Sequence, residues 1–273
     1  MRRILLNPNT IIGLAIVLPV VLLCLFAPLI TDLDPVKQVL PDRLQPPSRQ
    51  HPLGTDLLGR DVLSRLLYGG RLSLGLTFLV VTITAATGTL IGLTSGLLGG
   101  LFDEVLMRLV DVIVAFPSIL LMLTIAGLQK PGIGSLAVAM ISVGWSPFAR
   151  VVRGECLKVR AMAYVDAAVS IGATPWRIAT KHILPNVTNA LLVMVFLRFS
   201  QNLLSIAGLS FLGLGAQPPT PEWGTMLSEA RNYMELVPMT MIVPGMAIFL
   251  TTLGMSLAGD GLRLAFDRAA KPR

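Results

Sequence analysis

Charge is scarce in this chain, and unevenly so. Asp, Glu, Lys and Arg make up 14% of the 273 residues, against about 25% in a soluble domain. No charge occurs in 11–30, 72–102, 112–129, 131–149, 199–221 or 236–259. Such runs exclude an ordinary soluble domain and suit a bilayer. Cysteine is nearly absent: Cys24 and Cys156 cannot build a disulfide framework, and redox chemistry is not indicated. Histidine occurs only at His51 and His182, which fall on opposite sides of the membrane in the topology below, so no zinc pair forms. Glycine is never followed by lysine, which rules out a G-x-x-x-x-G-K-[ST] phosphate loop, and there is no G-x-S-x-G nucleophile elbow. Asp111 is nearly the only carboxylate within a span, with Arg108 three residues before it as a simple partner.

What the chain does have is apolar length. A hydrocarbon core about 30 Å thick needs roughly 20 residues of helix. The run 199–221 extends backward, so that a fifth helix near 187–209 carries one charge, Arg198. Six spans follow, making an all-α polytopic membrane protein. With the N-terminus inside, inner segments hold 13 Lys and Arg against 8 outside. The positive-inside rule then puts both termini in the cytoplasm. The same rule accounts for the net charge of +7, so membrane lipid is the expected surrounding and nucleic acid is not a partner. The first apolar run is longer than a signal-peptide core, and Pro28 follows Ala27 where a cleavage site would be wanted. An uncleaved first helix is expected.

Residues 31–71 form a polar segment punctuated by Pro35, Pro41, Pro46, Pro47 and Pro52, which prevents continuous helix. Leucines and valine at 57, 58, 62, 63, 66 and 67 follow, with Asp61 and Arg65 four apart on the polar side. That spacing predicts a short helix on the outer membrane surface. Gly88, Gly92, Gly96 and Gly100 make three G-x-x-x-G steps in span 2, a seam for close helix packing against an internal or external partner. Pro117, Pro147 and Pro244 lie inside spans 3, 4 and 6 and bend them, as static kinks or as hinges. Ser210–Gly224 reads as an ordered turn region. Trp223 within it and Tyr233 beyond it are expected as interfacial anchors on the outer face. Arg198 must face protein or water. With Ser200, Gln201 and Asn202 nearby, it either contacts a carboxylate or anionic chelate in a pathway or forms a buried structural pair.

The most informative stretch runs from Tyr164 to Asn186, between spans 4 and 5. Thr174-Pro175 is a good helix start, and Gly172 suits the end of a preceding helix. Two short helices, 163–171 and 175–183, are predicted, with Leu184-Pro185 leading into span 5. Ala167 and Ala168 would let the first helix seat in a cleft of another protein. Asp166 can cap backbone donors.

Asp166-Ala167-Ala168, Gly172 and Leu184-Pro185 resemble the "EAA" loop, E-A-A-x3-G-x9-I-x-L-P, of permeases of ATP-binding-cassette (ABC) importers. Asp replaces Glu, and His182 stands where Ile is usual. The blocks Gly54-Thr55-Asp56-Leu57-Leu58-Gly59-Arg60-Asp61 and Leu209 to Glu222-Trp223-Gly224 are similar to the dipeptide/oligopeptide/nickel permease family, C-type subunit. So is Gly259-Asp260-Gly261-Leu262-Arg263. One departure is Arg268, where proline is common.

The resemblance, which covers essentially the whole chain, implies a MetI-like type I importer permease in the bacterial inner membrane. Residues 1–71 would be the N-terminal helix and outer segment, 72–263 the permease core with a coupling loop at 155–186, and 264–273 a cytoplasmic tail. Two non-identical permeases would form the pore. Two ATPases carrying ATP and Mg would sit beneath, and an extracytoplasmic binding protein would deliver the solute. No cofactor is expected on this chain. Tyr164, Asp166, Ala167, Ala168, Gly172, Leu184 and Pro185 would couple to the ATPases. The implied cargo is di- or oligopeptide, with nickel or a metal chelate as the alternative. An ion-driven secondary transporter would want broken helices or several embedded carboxylates, and would leave the inner loop unexplained.

Overall fold

The computed structural model describes residues 7–270, with side chains through Phe266. Arg2, Arg3, Lys271 and Arg273, counted above toward the inner charge, lie outside the described residues, as does the side chain of Arg268. The described chain is almost entirely helical. Five of the described helices are long and apolar enough to cross a membrane, and six crossings result if a bent pair counts as one span.

The first crossing is α1 (Pro8–Leu25), started by Asn7, whose side chain accepts from the Asn9 N–H at 3.1 Å. A single turn, α2 (Ala27–Ile30), follows. The second crossing, α3 (Val62–Leu98), runs 37 residues without interruption, about 55 Å at 1.5 Å per residue. It therefore overshoots the hydrocarbon core. The surface helix expected over 57–68 does not form as a separate element. Asp61 caps α3 by accepting from Ser64 N–H at 2.7 Å. Residues 62–71 are its first turns, while Leu57 and Leu58 belong to the preceding turn.

Span 3 is also not one kinked helix. It is α4 (Gly100–Ala115) and α5 (Ser118–Gly127), set at 89°. Phe116 is extended (φ −93°, ψ 146°) and Pro117 has ψ 118°. The proline ring drives the residue before it out of helical geometry and removes an N–H from the ladder. Pro147 and Pro244, by contrast, remain inside α6 (Ile133–Arg160) and α11 (Met239–Ala270). In α6 the Val143 carbonyl, deprived of its usual partner by Pro147, accepts the Ser146 hydroxyl at 2.9 Å.

After α6 the chain makes α7 (Ala163–Ser170), α8 (Pro175–Ile178), a π-helical turn over Ala179–Ile183, and α9 (Leu184–Phe211). The second predicted loop helix is thus the base of span 5. The π turn widens the helix just before Pro185, whose missing N–H would otherwise break a regular ladder. The last crossing, α11, follows the short α10 (Trp223–Ala230).

Three helix pairs hold the bundle. Gly88, Gly92 and Gly96 lie against α6: added Cβ atoms would stand 2.5 Å from the Phe148 Cβ, 2.5 Å from the Ala149 carbonyl oxygen and 2.7 Å from the Cys156 Sγ. The seam is internal, and it stops there. Gly100 meets nothing within 4 Å and has φ +59°, because α3 has already ended. A second close seam joins α1 to α11, where a Cβ on Gly13 would lie 2.4 Å from the Gly254 carbonyl oxygen. The third joins α9 to α11, where Ser200 Oγ donates to Thr252 O at 3.0 Å.

Candidate functional site

The loop between α6 and α9 is anchored from both sides. Arg160, at the end of α6, donates to the carbonyls of Gly96 (3.1 Å) and Leu97 (2.8 Å) and caps the end of α3. Val165 and Ala168 of α7 are buried, Val165 in a cluster with Val152, Cys156, Val159, Ile178, Ile183 and Val187. The small side chain of Ala168 faces inward, while Ala167 and Asp166 face outward. The end of α7 turns through Gly172 at φ +82°, with its N–H on the Val169 carbonyl at 2.9 Å. Nothing lies within 4 Å of a Cβ built there; the requirement at this position is backbone geometry, not space. Thr174 caps α8, accepting from Arg177 N–H at 3.3 Å.

His182 earns its place differently from the isoleucine usual there. Its ring packs on Tyr164 at 5.8 Å between centroids, and Asn186 Nδ2 lies 2.6 Å from the His182 carbonyl and 3.4 Å from the Tyr164 hydroxyl. Leu184 is half-buried beside this neck, and Pro185 is exposed. Outward from the seat project Ile171 (86% exposed) and Trp176 (77%). With Met162, Tyr164 and Val169 also exposed, these large side chains give the knob an apolar surface that water does not favour.

At the opposite end, the outer motifs converge. Gly54 and Gly59 turn the chain at φ +78° and +71°, presenting Asp56 and Arg60. Arg60 Nε lies 2.6 Å from Asp56, and Arg60 and Arg65 both reach Glu229 Oε2, at 2.8 and 2.7 Å. Asp61 also meets His51 at 2.9 Å. Thr55 is fully buried, with its Oγ1 accepting from the Gln45 N–H at 2.8 Å. Burial, followed by the charges of Asp56 and Glu229, pushes Tyr233 up to about 12. Glu222 is buried and satisfied, accepting from Ser73 Oγ at 2.7 Å and Thr225 N–H at 3.0 Å.

Trp223 has no exposed surface, and its indole N–H donates to the Leu66 carbonyl at 2.9 Å. Neither Trp223 nor the buried Tyr233 is an interfacial anchor; Trp223 fits because Gly70 leaves room, where an added Cβ would stand 2.7 Å from its ring. Glu229, which organises the cluster, gave no signal in the sequence beyond being an acid on a short helix near two separated arginines.

The third region is a cavity of about 280 Å³ beside the α4–α5 break, between α6 and α9. Arg198, Gln201, Asn202 and Ser205 face it, at i, i+3, i+4 and i+7 along one helical stripe. Ser200, expected with them, points instead to α11. Asp111 pairs with Arg150 at 2.6 Å rather than with Arg108, which reaches Glu104 at 3.9 Å. The broken span therefore lacks the unpaired carboxylates that ion coupling would use.

Comparison with known proteins agrees with this architecture. Residues 88–272 match the family described as binding-protein-dependent transport system inner membrane component, and residues 1–47 match the N-terminal TM domain of oligopeptide transport permease C. The Pectobacterium atrosepticum glutathione transport system permease protein GsiD is 44% identical over 84% of this chain and 77% of its own length. The Alkalihalophilus pseudofirmus dipeptide transport system permease protein DppC is 40% identical over 97% of this chain and 87% of its own. A crystal structure of an amino acid ABC transporter shares the fold, with a TM-score of 0.56 at 21% identity over 75% of this chain and 94% of that one.

A multi-pass inner-membrane permease of an ABC importer is the class that fold and sequence define. The chain belongs to the binding-protein-dependent transport system inner membrane component family, whose members work with ATPase and substrate-binding proteins.

Proposed function

We infer that this chain forms one half of a heterodimeric pathway for di- and oligopeptides, with both termini cytoplasmic and with two separate ATPases binding ATP and Mg. The observation that carries the reading is the exposed apolar pair Ile171 and Trp176 on a knob whose other face is locked into α3, α6 and α9. A push on that knob moves three helices at once. ATP-driven closure of the ATPases would open the pathway outward, and hydrolysis would reset it inward.

Peptide cargo is supported by the relatives named for dipeptide and glutathione transport. The chain itself would supply no nucleotide chemistry. The test is reconstitution in lipid vesicles. ATP-dependent uptake of a dipeptide should require the second permease, both ATPases and the binding protein. Gradient-driven accumulation by this chain alone would overturn the reading.

A further inference from the structure

The cavity beside the Phe116–Pro117 break has a physical origin. Pro117 turns the backbone of span 3 through 89°, and the space beside the break is lined by the polar stripe of α9. Arg198 sits about halfway along α9 and Pro147 about halfway along α6, so the cavity lies away from both ends of these two helices. Among the described residues, no ion pair or hydrogen bond reaches the side chains of Arg198, Gln201 or Asn202, and no charged neighbour acts on Arg198. The acid closest along span 3, Asp111, is already neutralised by Arg150. An uncompensated guanidinium within a membrane-spanning helix is costly. Its presence calls for an anion from outside the chain.

Resting on the peptide reading above, we propose that this cavity is a transit subsite for the C-terminal carboxylate of the cargo, held by Arg198, with Gln201 and Asn202 serving the adjoining peptide group. A guanidinium fork matches a carboxylate with two parallel hydrogen bonds. Carboxamides both donate and accept, as one peptide unit requires. Ser118, the first residue of α5, also lines the cavity, so the positive end of a helix faces the same space. At about 280 Å³, the cavity falls just below the roughly 300–1,000 Å³ of whole-ligand pockets. It suits one end of a peptide rather than all of it.

The test uses the complete complex in vesicles, with Arg198→Gln and Arg198→Lys. Each variant is supplied with one dipeptide as the free acid and as the C-terminal amide, at concentrations that saturate the binding protein. Arg198→Gln should assemble normally and take up the free acid roughly tenfold or more slowly, down to the rate of the amide, whose uptake should not change. Arg198→Lys should fall between. Equal losses on both peptides would overturn the subsite. So would failure of Arg198→Gln to assemble with rescue by Arg198→Lys, since the charge would then pair with the second permease. If the unmutated complex moves neither peptide, the peptide reading itself falls, and this inference with it.

Discussion

Arg65 and Glu229 stand 164 positions apart in the chain and meet at 2.7 Å. Through them the first turns of α3 are tied to α10, and Arg60 joins the same carboxylate oxygen at 2.8 Å. Two arginines and two acids, Asp56 and Glu229, thus close the end of the bundle opposite the α7 loop as a neutral group.

Removing one member leaves a buried charge without its partner. Glu229→Gln should destabilise the solubilised protein by about 3–5 kcal/mol, read as a lowered unfolding midpoint. Arg65→Met combined with Glu229→Gln should cost less than the sum of the two single changes. Additive losses in that cycle would show that the pair is not coupled.

Glycines on α3 should divide by face. A Cβ on Gly92 would lie 2.5 Å from the Ala149 carbonyl oxygen, so Gly92→Ala should cost about 1–3 kcal/mol by forcing α3 from α6. Gly75 has nothing within 4 Å. There Gly75→Ala should stabilise by roughly 0.5–1 kcal/mol, because alanine loses less backbone entropy in a helix. Thermal unfolding of the two variants in one detergent decides it.

At Gly172 the constraint is φ +82°. Asparagine tolerates that conformation and valine does not. Gly172→Asn should keep most binding-protein-stimulated ATP hydrolysis in the reconstituted complex, while Gly172→Val should lose most of it. Both should remain in the membrane. Equal activity in the two would remove the link between the α7 turn and coupling.

The tryptophans should behave oppositely. Trp223→Ala empties a site with no exposed surface and should cost about 3–5 kcal/mol. Trp176→Ala changes a side chain that is 77% exposed, so stability should shift by no more than about 0.5 kcal/mol. Its effect should instead be roughly tenfold weaker retention of the ATPases on co-purification, as for an interface anchor.

Local signals read well from the sequence. Five of the uncharged runs located the long apolar helices, while the run at 112–129 fell across the α4–α5 break. Thr174-Pro175 and Gly172 marked the loop's caps and turn, and the spacing of Gly88, Gly92 and Gly96 announced a seam. Each depends on residues within a turn or two of one another. Errors came where local pattern met distant context. The leucines at 57–67 looked like a surface helix because period alone cannot tell a free helix from the start of a longer one. Trp223 looked like a surface anchor because its burial depends on Gly70, which lies on another helix.

By itself, then, the order of residues determined the long apolar helices, the place of the loop and the positions of helix caps, since hydrophobic length and backbone preference act locally. Tertiary structure alone decided that Ala168 faces inward and Ile171 outward, that Glu229 gathers Arg60 and Arg65, and that Pro117 breaks its span beside the cavity that Arg198 lines. Those outcomes depend on which helices pack together, and packing sets the direction in which each side chain points.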